Sequence, residues 1–170
     1  MQRKTIWCVG ILLTCATFFS PQPSFSNPVL EPVPASEPTK QPLRLEIRLR
    51  QRRVTVFQGD RKIKSYPIAV GKPGWETPTG NFTIKQKIRD PEWIHPMNGS
   101  RIPGGDPENP LGRRWIGFWT DGKNWIGFHG TPNPESIGTA ASHGCIRMYN
   151  RDVEELFGKV SLGTEVIVKN

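Results

Sequence analysis

Trp115-Ile116-Gly117-Phe118-Trp119 and Trp125-Ile126-Gly127-Phe128-His129 are two copies of one five-residue pattern, and Asp121-Gly122-Lys123-Asn124 lies between them. Two β-prone runs around a Gly/Asn turn are expected to pair as a hairpin. The copies differ at the last position, where a histidine replaces an aromatic residue. Working outward, other segments show the same preference for strands. Leu43, Leu45, Ile47 and Leu49 alternate with Arg44, Glu46, Arg48 and Arg50, the period of a half-buried strand. Val54-Thr55-Val56-Phe57 follows, and Gly59-Asp60 suits a two-residue hairpin loop. The next strand changes phase between Ile63 and Tyr66, which predicts a bulge before Val70. Asn81 to Ile84 and Thr164 to Val168 complete the strand signals. One helix is predicted after Asn150, read as its N-cap, with Val153, Leu156 and Phe157 on one face and Gly158 at its end. The fold class is therefore mainly β, with one helix after the segment that carries the chemistry.

Composition agrees. The chain has 170 residues, 35% hydrophobic and 22% charged, with 17 glycines and 17 prolines. That supports a modest core and excludes collagen-like, coiled-coil and multi-span membrane classes. At the N-terminus, Arg3 and Lys4 precede an apolar run from Ile6 to Phe19, and Ser24 and Ser26 form a small-x-small site. This is the pattern of a signal peptide over 1–26, cleaved after Ser26. The alternatives are an uncleaved anchor helix or a lipid on Cys15. Export to the periplasm or cell envelope follows, with membrane contact only through the signal or such an anchor. Residues 27–42 carry five prolines and read as a semi-extended tether, which leaves 43–170 as the folded domain.

Charge is uneven. Between Lys40 and Lys64 there are nine basic residues and two acidic ones. That suits either a solvated strand face or attraction to an anionic surface. Export and the absence of a recognisable module argue against nucleic acid. Residues 90–112, rich in Pro, Gly and Asn, read as a long functional loop, which Trp93 and Met97 pack down as a lid.

Export also changes the cysteine arithmetic. Cys8 and Cys15 lie in the signal, so Cys145 is alone in the mature chain and must be inert, paired with another chain, or reactive. A reactive thiol needs a base or cationic surroundings. His143 and Arg147 each stand two residues from Cys145, the spacing that shares one face of an extended segment. His129, at its strand end, can approach from a neighbouring strand. Gly130 and Gly144 leave room for a substrate backbone and for N–H donors to an oxyanion. A zinc site from His129, His143 and Cys145 lacks the paired short-loop spacing of structural zinc, so no metal is predicted.

His129-Gly130-Thr131, Ile137-Gly138 and Ser142-His143-Gly144-Cys145-Ile146-Arg147-Met148 together resemble the active-site motif of the L,D-transpeptidase (YkuD-like) family. Thr77-Pro78-Thr79-Gly80-x-Phe82-x-Ile84 and Asn109-Pro110-Leu111-Gly112-x-x-Trp115-Ile116 extend the resemblance over nearly all of 43–170. The resemblance implies a small sandwich or partly closed barrel. It further implies that Cys145 attacks the acyl carbonyl before the terminal D-Ala of a peptidoglycan tetrapeptide stem. His129 would exchange the proton and His143 would assist. N–H groups near Gly144 and Cys145, beside Ser142, would hold the oxyanion, and Arg147 would bind a substrate carboxylate or brace the loop. The thioester would pass to an amine of a second stem peptide or to water, with no cofactor, and carbapenem-type β-lactams would acylate the thiol.

Overall fold

The computed structural model describes residues 41–95 and 98–170. The signal, the lipid-anchor position and most of the tether fall outside these residues, as does Met97. The chain forms β1 (Leu43–Arg48), β2 (Arg53–Gln58), β3 (Arg61–Pro67), β4 (Val70–Gly71), β5 (Gly80–Thr83) and β6 (Gln86–Arg89). It continues through β7 (Trp93–Ile94), β8 (Arg101–Ile102), β9 (Arg114–Thr120), β10 (Trp125–His129), β11 (Ala140–Ser142) and β12 (Ile146–Arg147). The helix α1 (Asn150–Lys159) and β13 (Glu165–Lys169) complete it.

Two sheets share one core. The larger has the order β3-β2-β1-β13-β5 and the smaller β12-β10-β9-β6. Leu45, Ile47, Val54, Val56, Val166 and Val168 project from the first sheet into the layer filled by Ile116, Phe118, Phe128 and Ile146 from the second. Burying each such side chain stabilises the fold by about 1.5–3 kcal/mol. The result is a sandwich, and among the described residues no closed barrel forms. β1 and β13, from opposite ends of the domain, pair in parallel.

The expected bulge falls at Ile63, where Val56 faces Lys64 but Phe57 faces Lys62. The echoed hairpin forms between β9 and β10, with a register shift at Ile126/Gly127. That shift brings Phe118 and Phe128 into the core together, with ring centroids 5.3 Å apart.

Two local readings need correction. Tyr149, and not Asn150, caps α1, and Tyr149 caps it without a side-chain hydrogen bond. Asn150 spends its amide on Thr131 instead. The helix also runs through Gly158 to Lys159, because its Phe157 end is packed beneath Lys87, whose ammonium lies 4.3 Å from the ring centroid. The 90–112 segment contains the β7–β8 ladder. It is organised by the fully buried Asn109, whose amide donates to the carbonyls of Pro91, Ile102 and Pro103 and accepts from Leu111 N–H.

Candidate active site

Cys145 follows a tight turn that two hydroxyls hold closed. Ser142 Oγ donates to the Cys145 carbonyl at 2.5 Å and accepts from Gly144 N–H at 3.1 Å. Thr77 Oγ1 donates to the Gly144 carbonyl at 2.9 Å and accepts from Gly71 N–H at 3.1 Å. Gly144 has φ +105°, and a Cβ there would stand 2.8 Å from Ile126 Cδ1, so only glycine fits. Ser142 is therefore a brace of the turn and occupies the Gly144 N–H expected for an oxyanion. The Cys145 N–H is left as the backbone donor beside the sulfur.

The thiol lies against β10. Its Sγ donates to the Trp125 carbonyl at 3.7 Å and receives the Gly127 N–H. The electropositive setting expected from the sequence is only partly realised. Burial raises the Cys145 pKa above the ordinary thiol value, and this outweighs the Gly127 N–H and the Arg147 charge, which favour the thiolate. Burial therefore favours the protonated thiol at rest.

His129 is also buried. Its ring lies over Trp115 at 6.1 Å between centroids, nearly parallel. Nδ1 meets the Gly130 carbonyl at 2.6 Å, and the Pro110 carbonyl is a second acceptor beside the ring. Burial pulls the imidazole down to about 4, with the Arg147 charge acting in the same direction, so the ring is neutral at ordinary pH. Cys145 and His129 thus face one cavity of about 290 Å³ as an uncharged pair, each hydrogen-bonded elsewhere at rest. Catalytic bonds that are long without substrate tighten when it binds.

Ser142, His143 and Arg147 line the same cavity. Arg147 is the register neighbour of His129, and its backbone exchanges two hydrogen bonds with Ala69 at 2.9 and 3.1 Å. His143 is exposed and meets Trp75 edge-on at 4.8 Å. Gly130 does not open space for substrate: a Cβ there would lie 1.9 Å from Asn150 Oδ1. A second cavity of about 400 Å³, walled by Trp93, Trp115 and Trp125, also reaches Cys145 and adjoins the first at Trp93 and Leu111. Among the described residues, no cluster of three or more His, Cys, Asp or Glu could hold a metal.

Sequence reasoning gave no site role to Thr77 or Asn109, and read Asn150 only as a helix cap. Thr77 and Asn109 stand inside the quoted upstream motifs, and their burial despite polar side chains is the signal that identifies them.

The model of the L,D-transpeptidase catalytic domain, YkuD, matches residues 42–168. The YkuD protein of Bacillus licheniformis, named as an L,D-transpeptidase, is 42% identical over 127 residues, covering 75% of this chain and 66% of the relative. The chain spans 61–69% of the length of the Bacillus relatives it matches. The catalytic domain of the E. faecium L,D-transpeptidase superposes with a TM-score of 0.59 at 25% identity, covering 77% of this chain and 99% of that one. L,D-transpeptidase 3 of Mycobacterium tuberculosis, solved with a faropenem-derived adduct, superposes at 0.61 with 20% identity, covering 75% and 60%, and so shares the fold. A hydroxyl-braced Ser-His-Gly-Cys turn faces a buried histidine across the edge of a two-sheet sandwich, and the family model spans nearly the whole described domain: the chain belongs to the YkuD family of L,D-transpeptidase catalytic domains.

Proposed function

We propose that this protein is an exported cysteine acyltransferase that cross-links peptidoglycan stem peptides. The observation that carries the reading is the shared cavity of Cys145 and His129, with Arg147 and His143 on its wall. Cys145 Sγ attacks the carbonyl of the stem's third residue as its proton passes to His129. Burial disfavours both the thiolate and the imidazolium, which favours moving this proton together with attack. The Cys145 N–H donates to the developing oxyanion. His129 returns the proton to the departing D-Ala amine, leaving a thioester. The amine of a second stem then attacks, its proton moves to His129, and the thiol is regenerated as the new amide forms.

The two cavities differ in chemistry. Arg147 and His143 suit the carboxylate of the donor stem. The aromatic cavity includes Glu92 and suits an incoming amine, which carboxylate and ring faces both attract. That second approach to the sulfur favours transfer to an amine over hydrolysis. The signal pattern at the N-terminus agrees with action outside the cytoplasm.

The test is mass spectrometry after incubation with a carbapenem and with faropenem, the drug whose derivative is bound in the mycobacterial structure. A stable adduct on the wild type and none on Cys145→Ala is expected. No adduct on either would overturn the acyl-enzyme and favour a wall-binding module. With tetrapeptide muropeptides, dimers are expected; tripeptides alone would make the protein an L,D-carboxypeptidase.

A further inference from the structure

Asn150 makes a two-point bond to a backbone segment it does not adjoin in sequence. Its Oδ1 accepts from Thr131 N–H and its Nδ2 donates to the Thr131 carbonyl, both at 3.2 Å. The Thr131 N–H and the Gly130 carbonyl are two edges of one planar peptide group. The far edge of that group is the acceptor of His129 Nδ1 at 2.6 Å. Three dipoles therefore stand in series: the Asn150 amide, the 130–131 peptide and the imidazole. Each polarises the next.

The glycine side of this series is tightly packed, while Asn150 itself keeps an exposed flank. A Cβ on Gly130 would lie 1.9 Å from Asn150 Oδ1, and one on Gly112 2.3 Å from the same atom. Gly112 also sits on the Gly130 backbone, where its Cβ would be 2.9 Å from the Gly130 Cα. Gly112 ends the turn that Asn109 organises through Leu111 N–H, and that turn carries the Pro110 carbonyl, a second acceptor beside the ring. The start of α1, the end of β10 and the 109–112 turn thus converge on one amide, and both carbonyls that hold the imidazole lie within this junction.

We infer that Asn150 is a positioning residue for His129, acting through the 130–131 peptide to keep the proton on Nδ1 and leave Nε2 as the base. This gives the acyl transfer proposed above a part that orients its imidazole, and in that respect the inference rests on that reading. It explains why an asparagine stands at the first residue of α1 without capping it.

The experiment reads the resting protein, so it is independent of whether stem peptides are the substrate. Nitrogen-15 NMR of labelled full-length protein at pH 7 reports the His129 tautomer, assigned by its loss in His129→Gln. The wild type is expected to show the Nδ1–H form and Asn150→Ala a mixture of both forms. The thiol acylation rate with imipenem should fall at least tenfold in Asn150→Ala, with little change in drug affinity. Asn150→Asp keeps the acceptor for Thr131 N–H and should recover most of the Nδ1–H population; it also serves if the alanine variant does not fold. A folded Asn150→Ala with the wild-type tautomer and rate would overturn the inference. So would a wild type already in the Nε2–H form, or an Asn150→Asp no better than alanine. Carbapenem adducts lost only in Cys145→Ala, with the tautomer unmoved by Asn150→Ala, would separate failure of the inference from failure of the proposed function.

Discussion

The two walls of the thiol cavity are built in opposite ways. The cysteine wall is mostly local: Ser142, Gly144 and Cys145 lie within four residues, Ser142 makes two of the bonds that close their turn, and Thr77 adds a brace from a distant segment. The histidine wall is assembled from afar. His129 is held by carbonyls at 110 and 130, and the asparagine beneath the second of these comes from the start of the helix. A nucleophile can be presented by a tight turn because the turn supplies its own hydrogen bonds. A buried base needs partners on several sides, and one strand cannot supply them.

The largest effect should come from removing the base itself. His129→Ala is expected to slow thiol acylation by on the order of 10²–10⁴-fold, measured as the pseudo-first-order rate of adduct formation. A loss of less than about tenfold would mean that the histidine wall is scaffold only.

Structural changes to each wall sharpen the contrast. Gly130→Ala drives a methyl group into Asn150 Oδ1 and should cost about 1–3 kcal/mol by urea unfolding. Thr77→Val on the cysteine wall removes the partner of both the Gly144 carbonyl and Gly71 N–H, again at about 1–3 kcal/mol. If the histidine wall is the long-range one, Gly130→Ala should also disturb the amide signals of residues 109–112, whereas Thr77→Val should leave them unmoved.

A third measurement uses pH. His129 titrates at about 4 in the fold, against an ordinary value of 6.5. A depressed folded value means that the unfolded chain takes the proton first. The stability contributed by the neutral ring is therefore complete above pH 6.5 and is lost as the pH falls towards 4. The melting temperature should drop across that window, and the drop should shrink in His129→Gln. The Cys145 thiol is shifted upward, so its contribution is present below the ordinary thiol range and lost at higher pH.

The smallest effect lies outside both walls. Gly158 sits within α1, and a Cβ there meets nothing within 4 Å. Gly158→Ala should stabilise the protein by about 0.5–1 kcal/mol without changing acylation. Loss of stability there would show that the helix frays before this residue.

Legibility in the sequence followed the same division. The β9–β10 hairpin, the Gly59-Asp60 turn and the Ile63 bulge were readable because alternation and turn residues act over a few positions. The Ser-His-Gly-Cys stretch was found through its motif, but its turn was not foreseen: residues 143–147 were expected to be extended, and Ser142 and the left-handed Gly144 bend them. Asn150 was misread because an asparagine before an apolar helical face satisfies the local rule for a cap, and nothing local shows that its amide is engaged with Thr131. The surroundings of Cys145 were legible only in part: neighbours in sequence suggested cations, while burial, a property of the packed chain, raises the thiol pKa.

By itself the amino-acid order determined the longer strands, their turns and the placement of a lone thiol between His143 and Arg147, since backbone preference and side-chain period are short-range. The tertiary structure alone decided the parallel pairing of β1 with β13, the neutral state of the Cys145 and His129 pair, and the junction of Gly112, Gly130 and Asn150. Each of these depends on which distant groups exclude water from one another, and a linear pattern does not encode that exclusion position by position.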